Sequence, residues 1–409
     1  MTDSAITEPA STEKNTLFRS DMPVTAEYAY FDHAAVAPLP TPAFQAMQTY
    51  AREAHEHGDA VWPRWSGKVA ELRESCAELL RVESSEIALV NSTTQGINLV
   101  AEGMPWKDGD NILVPANEFP SNMVAWKNVE RMGVEVRTIN VPTSNEINAE
   151  LFRPHLDERT RLIAFSWVGY SSGFRADVGS IVELAHGNIG RSGKTLVLLD
   201  TIQGLGAFPL VAKDTGVDFV CADGHKWMLG PEGAGLFYLK QEHLNLLQPL
   251  GLGWHSLAAG SFEPLGDTPL RSTLKQSAQR YEGGTTNMSG MLGFGGSLRL
   301  LLDSGLNQPR SAVQEAILEN VACMEEQLAS AGFETHLPVH EKNRSGIVGI
   351  TWQGADEASL NQARKFLLQQ KVVTSVRGGV LRASTHGYNN SADVQRLVEG
   401  LREFTSSRS

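Results

Sequence analysis

"DFVCADGHKWMLGPEGAGLFYL", residues 218–239, brings a lysine straight off an apolar run. Lys226 stands between His225 and Trp227, a turn rich in glycine and proline follows, and the run "GLFYL" closes the stretch. Two short apolar runs on either side of such a turn read as strands. Partial removal of the lysine from water favours its neutral amine, which attacks carbonyl carbon. The plainer reading is a surface lysine at a strand end, with "GPEGAG" as a mere turn.

Outward from this stretch, strand-like and helical segments alternate from about residue 40 to 300. The strands are "EIALV", "NILVP", "VEVRTIN", "LIAFSWV", "TLVLLD", "VDFVCAD" and "GLFYL". "TPAFQAMQTYAREAHEHG" and "SGKVAELRESCAELLRV" carry apolar residues at helical spacing. Strands separated by helices predict an α/β fold with a mostly parallel central sheet covered on both faces. Further on, "PRSAVQEAILENVACMEEQLASAG" predicts a long amphipathic helix. Beyond it lie "SGIVGITW", a helix "SLNQARKFLLQQ", two short strands around "VVTSVRGGVLRAS" and a helix "SADVQRLVEGLREFT". We therefore expect a disordered leader over 1–20, a large domain over 21–305 and a smaller α+β C-terminal domain over 306–409. Residues 21–45 are expected to contribute to the small domain or the active site.

Composition narrows the function classes. Lys and Arg total 35 against 47 Asp and Glu, a formal charge of −12. That argues against a general binder of nucleic acid or anionic membrane. No run of about 18 apolar residues offers a membrane span. Cys76, Cys221 and Cys323 are too few and too scattered for a disulfide framework. A cytoplasmic protein is expected. His55 and His57 do not share a helix face, so "HEH" predicts no metal site. "NST" at Asn91 matches a glycosylation pattern by chance.

In open α/β sheets, ligands gather at the carboxyl ends of the strands, and three polar clusters fall there. Ser92, Thr93, Thr94 and Gln95 lie between a strand and an apolar helix, where free N–H groups and hydroxyls suit a phosphate. Taken alone, they are better explained as an ordinary N-cap. Asp200 ends the strand "TLVLLD" and needs a cationic partner or several hydrogen bonds, unless it only caps a helix. The third is Lys226. A phosphate cradle, a strand-end acid and a nucleophilic lysine are together the parts that hold pyridoxal 5′-phosphate (PLP).

The set "NSTTQGINLVA", "DTIQGLGAFPL", "DGHKWMLGPEGAGLFYL", "RYEGGTTNMSG" and "LRASTHGYN" resembles the class V aminotransferase family. The match runs in order over roughly residues 28 to 402. The resemblance implies an aspartate-aminotransferase-like fold (PLP fold type I) and a homodimer with active sites at the subunit interface. It implies that Lys226 forms the Schiff base and Asp200 keeps the pyridine nitrogen protonated. Gln203 would hydrogen-bond the ring's phenolic oxygen, and Thr93, Thr94 and Gln95 would surround the phosphate, with His225 helping there or at the Schiff base. Phe119 would stack on the ring, and Thr285 would reach the phosphate of the neighbouring subunit's cofactor. Arg382 would grip the substrate α-carboxylate, with Arg377 as the fallback. Trp62 and His33 are placed on the substrate side, although Trp62 could equally be core.

Three departures from the family pattern shape the expected reaction. Asp223 stands where relatives carry serine, and Tyr170 where they carry an asparagine. Cysteine desulfurases of the group have a nucleophilic cysteine before "LRAS", and here "VVTSVRGGVLRAS" has none. The reading that follows is an aminotransferase acting on an amino acid, and not a desulfurase. A β-eliminating C–S lyase is the alternative, then an epimerase, then a PLP-binding homologue without catalysis.

Overall fold

The computed structural model describes residues 17–142, 144–258 and 270–407. Most of the expected leader lies outside them, but Leu17 and Phe18 pack against the core. Arg19 donates from Nη1 to the Tyr388 carbonyl at 2.9 Å and to Asp393 at 2.8 Å.

The central sheet is built from β2 (Ile87–Val90), β3 (Asn111–Pro115), β4 (Glu135–Ile139), β5 (Thr160–Ser166), β6 (Leu196–Asp200), β7 (Phe219–Asp223) and β8 (Gly235–Leu239), in the order β2-β8-β7-β6-β5-β3-β4. From β7 through β4 all neighbours are parallel. β8 is antiparallel to both β2 and β7. The central strands are apolar throughout because both faces are covered: β6 and β7 are buried at every position. One core cluster lies on each face.

The covering helices include α1 (Thr41–His57), α2 (Trp62–Leu80), α3 (Thr93–Gly103), α4 (Ser121–Val129), α5 (Val178–Gly187) and α6 (Met288–Asp303). "VWPRWSG" is the first turns of α2, with Pro63 pre-set for a helix start. Close packing of α6 on α1 depends on Gly296, where a Cβ would come within 2.7 Å of the Pro42 carbonyl oxygen.

A second, antiparallel sheet is made of β9 (Glu334–His336), β10 (Ile347–Thr351), β12 (Ser375–Arg377) and β13 (Val380–Ser384), in the order β9-β10-β13-β12. Its own apolar core includes residues of α7 (Ala312–Ser330), α8 (Glu357–Gln369) and α9 (Ser391–Ser406). The stretch expected to hold two short strands holds three, since β11 (Val372–Val373) pairs in parallel with β1 (Ala29–Tyr30). The chain just after β1 continues along this sheet, with Asp32 bridging Ser384. Segment 29–34 thus lies where the two sheets approach each other. Placing the boundary between the two units at residues 305 and 306 remains our proposal.

Candidate active site

The register of the central sheet lines its functional residues along one edge. Val90 and Asp223 both face Gly235, Asp200 faces Cys221, and Ser166 faces Asp200. The carboxyl ends of β2, β5, β6 and β7 therefore share one level.

Lys226 follows β7 by three residues and is 8% exposed. Burial lowers its pKa to about 8; Asp200 pulls it back up and Arg382 pushes it down. Nζ makes no hydrogen bond among the described residues and lies 5.5 Å from the centre of the Phe119 ring. Its backbone is fixed by a tight turn in which Leu229 N–H donates to the Lys226 carbonyl at 3.0 Å. That turn places Leu229 at φ 56°, a left-handed conformation uncommon for leucine. Behind it, Gly206 (φ +96°) leaves no room for a Cβ, which would sit 2.2 Å from the Trp227 backbone. The amine is held at a set position but has no bonded partner, which suits a nucleophile.

Asp200 is 3% exposed and accepts one hydrogen bond, from Ile202 N–H at 3.0 Å. Burial raises its pKa to about 6, against the pull of that N–H and of Lys226. A carboxylate with a vacant acceptor side beside a lysine can stabilise a cation brought between them. Sequence reading missed Glu118, a second carboxyl at this place. It accepts from Ser166 N–H at 2.6 Å, from the Ser166 hydroxyl, and from Asn122 at 3.0 Å. Burial, with the Asp200 charge adding to it, lifts its pKa to about 7 despite those donors. These bonds anchor the residue next to Phe119, whose ring meets Tyr170 edge-on at 5.3 Å.

At the start of α3, Ser92 caps the helix by accepting from Gln95 N–H at 3.1 Å. Thr93 is committed, its hydroxyl accepting from Asp223 N–H at 2.9 Å. Gln95 turns back to accept from Asn91 N–H at 2.7 Å. Thr94 is exposed, its hydroxyl donating to the Ser121 hydroxyl at 2.9 Å. Asp223 Oδ2 lies 3.2 Å from His225 Nδ1, close enough for an ion pair. The angles miss a hydrogen bond, however, so His225 Nδ1 and Asp223 Oδ1 are both buried without one. Thr285 is exposed.

Arg382, on β13, is 2% exposed. It donates from Nε to Ser375 at 3.1 Å, from Nη1 to the Tyr170 carbonyl at 2.7 Å, and from Nη2 to Asp32 at 3.2 Å. Gln203 is also engaged, donating to the Ala34 carbonyl at 2.9 Å and accepting from Trp227 Nε1 at 2.8 Å. One N–H of its amide remains for another partner. His33 does not face an open pocket. It is fully buried, its Nδ1 2.8 Å from the Ser384 carbonyl and its Nε2 2.7 Å from the Tyr388 hydroxyl. Burial drives its pKa down to about 3, so the ring is a neutral tie between segments. Arg377 is exposed on β12. Trp62 opens α2, half-buried, and shares no hydrogen bond or ring contact with Lys226, Asp200 or Arg382 among the described residues.

The donor set fits PLP: an unbonded amine, a buried carboxylate with spare acceptor capacity, and a ring 5.5 Å from that amine. The chain matches the Aminotransferase class-V family over residues 29–397 and belongs to it. It is a PLP-dependent enzyme of fold type I. A probable cysteine desulfurase of Methanothermobacter thermautotrophicus is 26% identical over 405 residues, covering 94% of this chain and 97% of that protein. A cysteine desulfurase of Escherichia coli is 29% identical over 412 residues, covering 94% and 97%. Among solved structures, the cystine C–S lyase C-DES in complex with its reaction product cysteine persulfide gives a TM-score of 0.84 at 23% identity, covering 93% of this chain and 99% of that one. The cysteine desulfurase CsdA of Escherichia coli gives 0.81 at 24%, covering 95% and 98%.

These relatives overturn the expectation of an aminotransferase and the exclusion of a desulfurase. The motifs behind that expectation were read as a cofactor site, and a shared cofactor site does not say which bond breaks. Nor was the missing loop cysteine decisive, because it bears on which group accepts the sulfur, and a C–S bond can also break with sulfur leaving on its own electron pair.

Proposed function

We propose that this enzyme breaks the Cβ–S bond of a sulfur-containing α-amino acid, cysteine or its disulfide cystine. The observation that carries the reading is the unbonded Lys226 amine beside Asp200, in a chain whose full-length relatives are cysteine desulfurases. PLP, when bound, supplies the electron sink for charge developing at Cα.

The protein's own groups do the rest. Lys226 would hold the cofactor through its amine, and the freed amine would take the proton from Cα. Asp200 would keep a proton on the pyridine nitrogen by its negative charge. Arg382 orients the α-carboxylate, which fixes the bond presented for cleavage. Phe119, whose ring centre lies 5.5 Å from the Lys226 amine, would stack on the cofactor ring, and as a hydrocarbon ring it moves no proton. When sulfur leaves with the bonding electron pair, cystine and water give pyruvate, ammonia and cysteine persulfide. That outcome needs no cysteine from the enzyme. A homodimer in which Thr285 completes the neighbouring site is part of the same reading.

Holoenzyme incubated separately with L-cysteine, L-cystine and sulfur-free amino acids tests this, with sulfide, persulfide, pyruvate, alanine and ammonia all quantified. Sulfur release from cysteine or cystine is expected. Pyruvate with ammonia marks elimination, and alanine marks sulfur transfer. Conversion of sulfur-free amino acids to 2-oxo acids, with no sulfur released from either substrate, would overturn the proposal.

A further inference from the structure

We propose that Asp32 is the internal counter-ion of Arg382 and sets how tightly that arginine holds a carboxylate. The inference rests on the reading above, in which Arg382 receives the substrate's α-carboxylate.

Asp32 and Ser375 act together on the guanidinium. Ser375 donates its hydroxyl to Asp32 Oδ1 at 2.8 Å and accepts from Arg382 Nε at 3.1 Å, while the same Oδ1 accepts from Arg382 Nη2 at 3.2 Å. Together they occupy the Nε side of the fork. With Nη1 also bonded to the Tyr170 carbonyl, three of the five N–H donors are engaged. One N–H is left on each terminal nitrogen, the number a two-point grip on one carboxylate needs.

The three anchors come from separate parts of the chain. Asp32 follows β1, Ser375 is on β12, and Tyr170 follows β5. Arg382 is therefore oriented before any ligand arrives, which lowers the ordering cost of binding. The same arrangement weakens the attraction. Asp32 is 15% exposed at its side chain and Arg382 is 2% exposed, so the pair is little screened and largely neutral as a unit. An incoming carboxylate meets a cation whose charge is already countered. Asp32 thus trades affinity for pre-orientation, which keeps the enzyme from being held by every passing α-carboxylate.

Asp32→Asn isolates the charge, because the amide oxygen can still accept from Ser375 and Arg382. The holoenzyme is titrated with acetate and with α-methylserine, a carboxylate ligand without an α-proton. Cysteamine, an amine without a carboxylate, is the control, and binding is read from the cofactor's absorbance. For both carboxylates we expect Asp32→Asn to bind at least about fivefold more tightly than the native enzyme, with cysteamine unchanged. Asp32→Ala, which also loses the acceptor, is expected to bind carboxylates less tightly than Asp32→Asn. Unchanged or weaker carboxylate binding in Asp32→Asn overturns the proposal. So does equal tightening for cysteamine, which would show a general loosening of the site. Arg382→Gln separates the two levels: if it leaves native carboxylate binding unchanged, the role given to Arg382 fails as well.

Discussion

Asp218 and Asp200 are both buried carboxylates close to β7, yet their surroundings are opposite. Asp218 precedes the strand and is saturated. It accepts from Val197 N–H at 2.8 Å, has His186 Nε2 and His243 Nε2 each at 2.8 Å, and has Lys240 and Lys194 at 3.6 and 3.8 Å. Burial alone would raise its pKa, but these partners hold it well below the ordinary carboxylate range. Asp200, at the strands' carboxyl edge, has one backbone donor and is pushed up to about 6. Buried polar groups in stable proteins are normally paired. A cluster that satisfies itself serves the fold, and one that leaves an amine and a carboxylate under-bonded awaits something from outside.

Three measurements would break or sharpen that contrast. The largest effect is expected at Asp218. Asp218→Ala strands two histidines and a backbone N–H, and should lower stability by about 3–5 kcal/mol, the usual range for breaking a buried pair. Denaturant unfolding measures it, and the cofactor's absorbance in the folded variant should not change. Full stability would mean that the cluster is ornamental and the comparison empty.

The second test reads Lys226 itself. Modification of the cofactor-free protein by an amine reagent, followed at this residue, should show a midpoint near pH 8, where an ordinary lysine would show about 10.5. Asp200→Asn removes a negative charge that favours the ammonium form, so the midpoint should move lower. A midpoint at the ordinary lysine value would show that burial does not prepare the amine.

The smallest effect concerns Glu118. Its pKa rises on folding from 4.5 to about 7. Between those values the folded protein keeps a proton that the unfolded chain has released. The Glu118 contribution to the stability of the cofactor-free protein should therefore fall as pH rises through this window, while buried His33 and His386 contribute a rise below about pH 6.5. The stability difference between the native protein and Glu118→Gln should shrink across the window, with Asp200 and the two histidines contributing equally to both. A difference that does not change with pH would show that Glu118 is not the group that titrates.

Much of this was legible in the sequence. The place of Asp200 at a strand end and of Lys226 just past one follows from apolar runs that stop at a charge, and the cap of α3 from its hydroxyl-rich start. Glu118 and Asp32 were not legible. Each adjoins a residue singled out from the sequence, Phe119 and His33, but their partners lie far along the chain. Glu118 is bonded to Ser166 and Asp32 to Ser375 and Arg382. His33 was misplaced for the same reason. Nothing local says that it is enclosed by Ser384 and Tyr388.

Periodicity, a local quantity, was enough to determine an α/β chain, and local motifs, with a lysine just past a strand end, supplied the ground for expecting PLP. Only the tertiary structure decided which charges are satisfied. A side chain's state depends on desolvation and on donors within a few ångströms, and folding draws those from residues hundreds of positions apart.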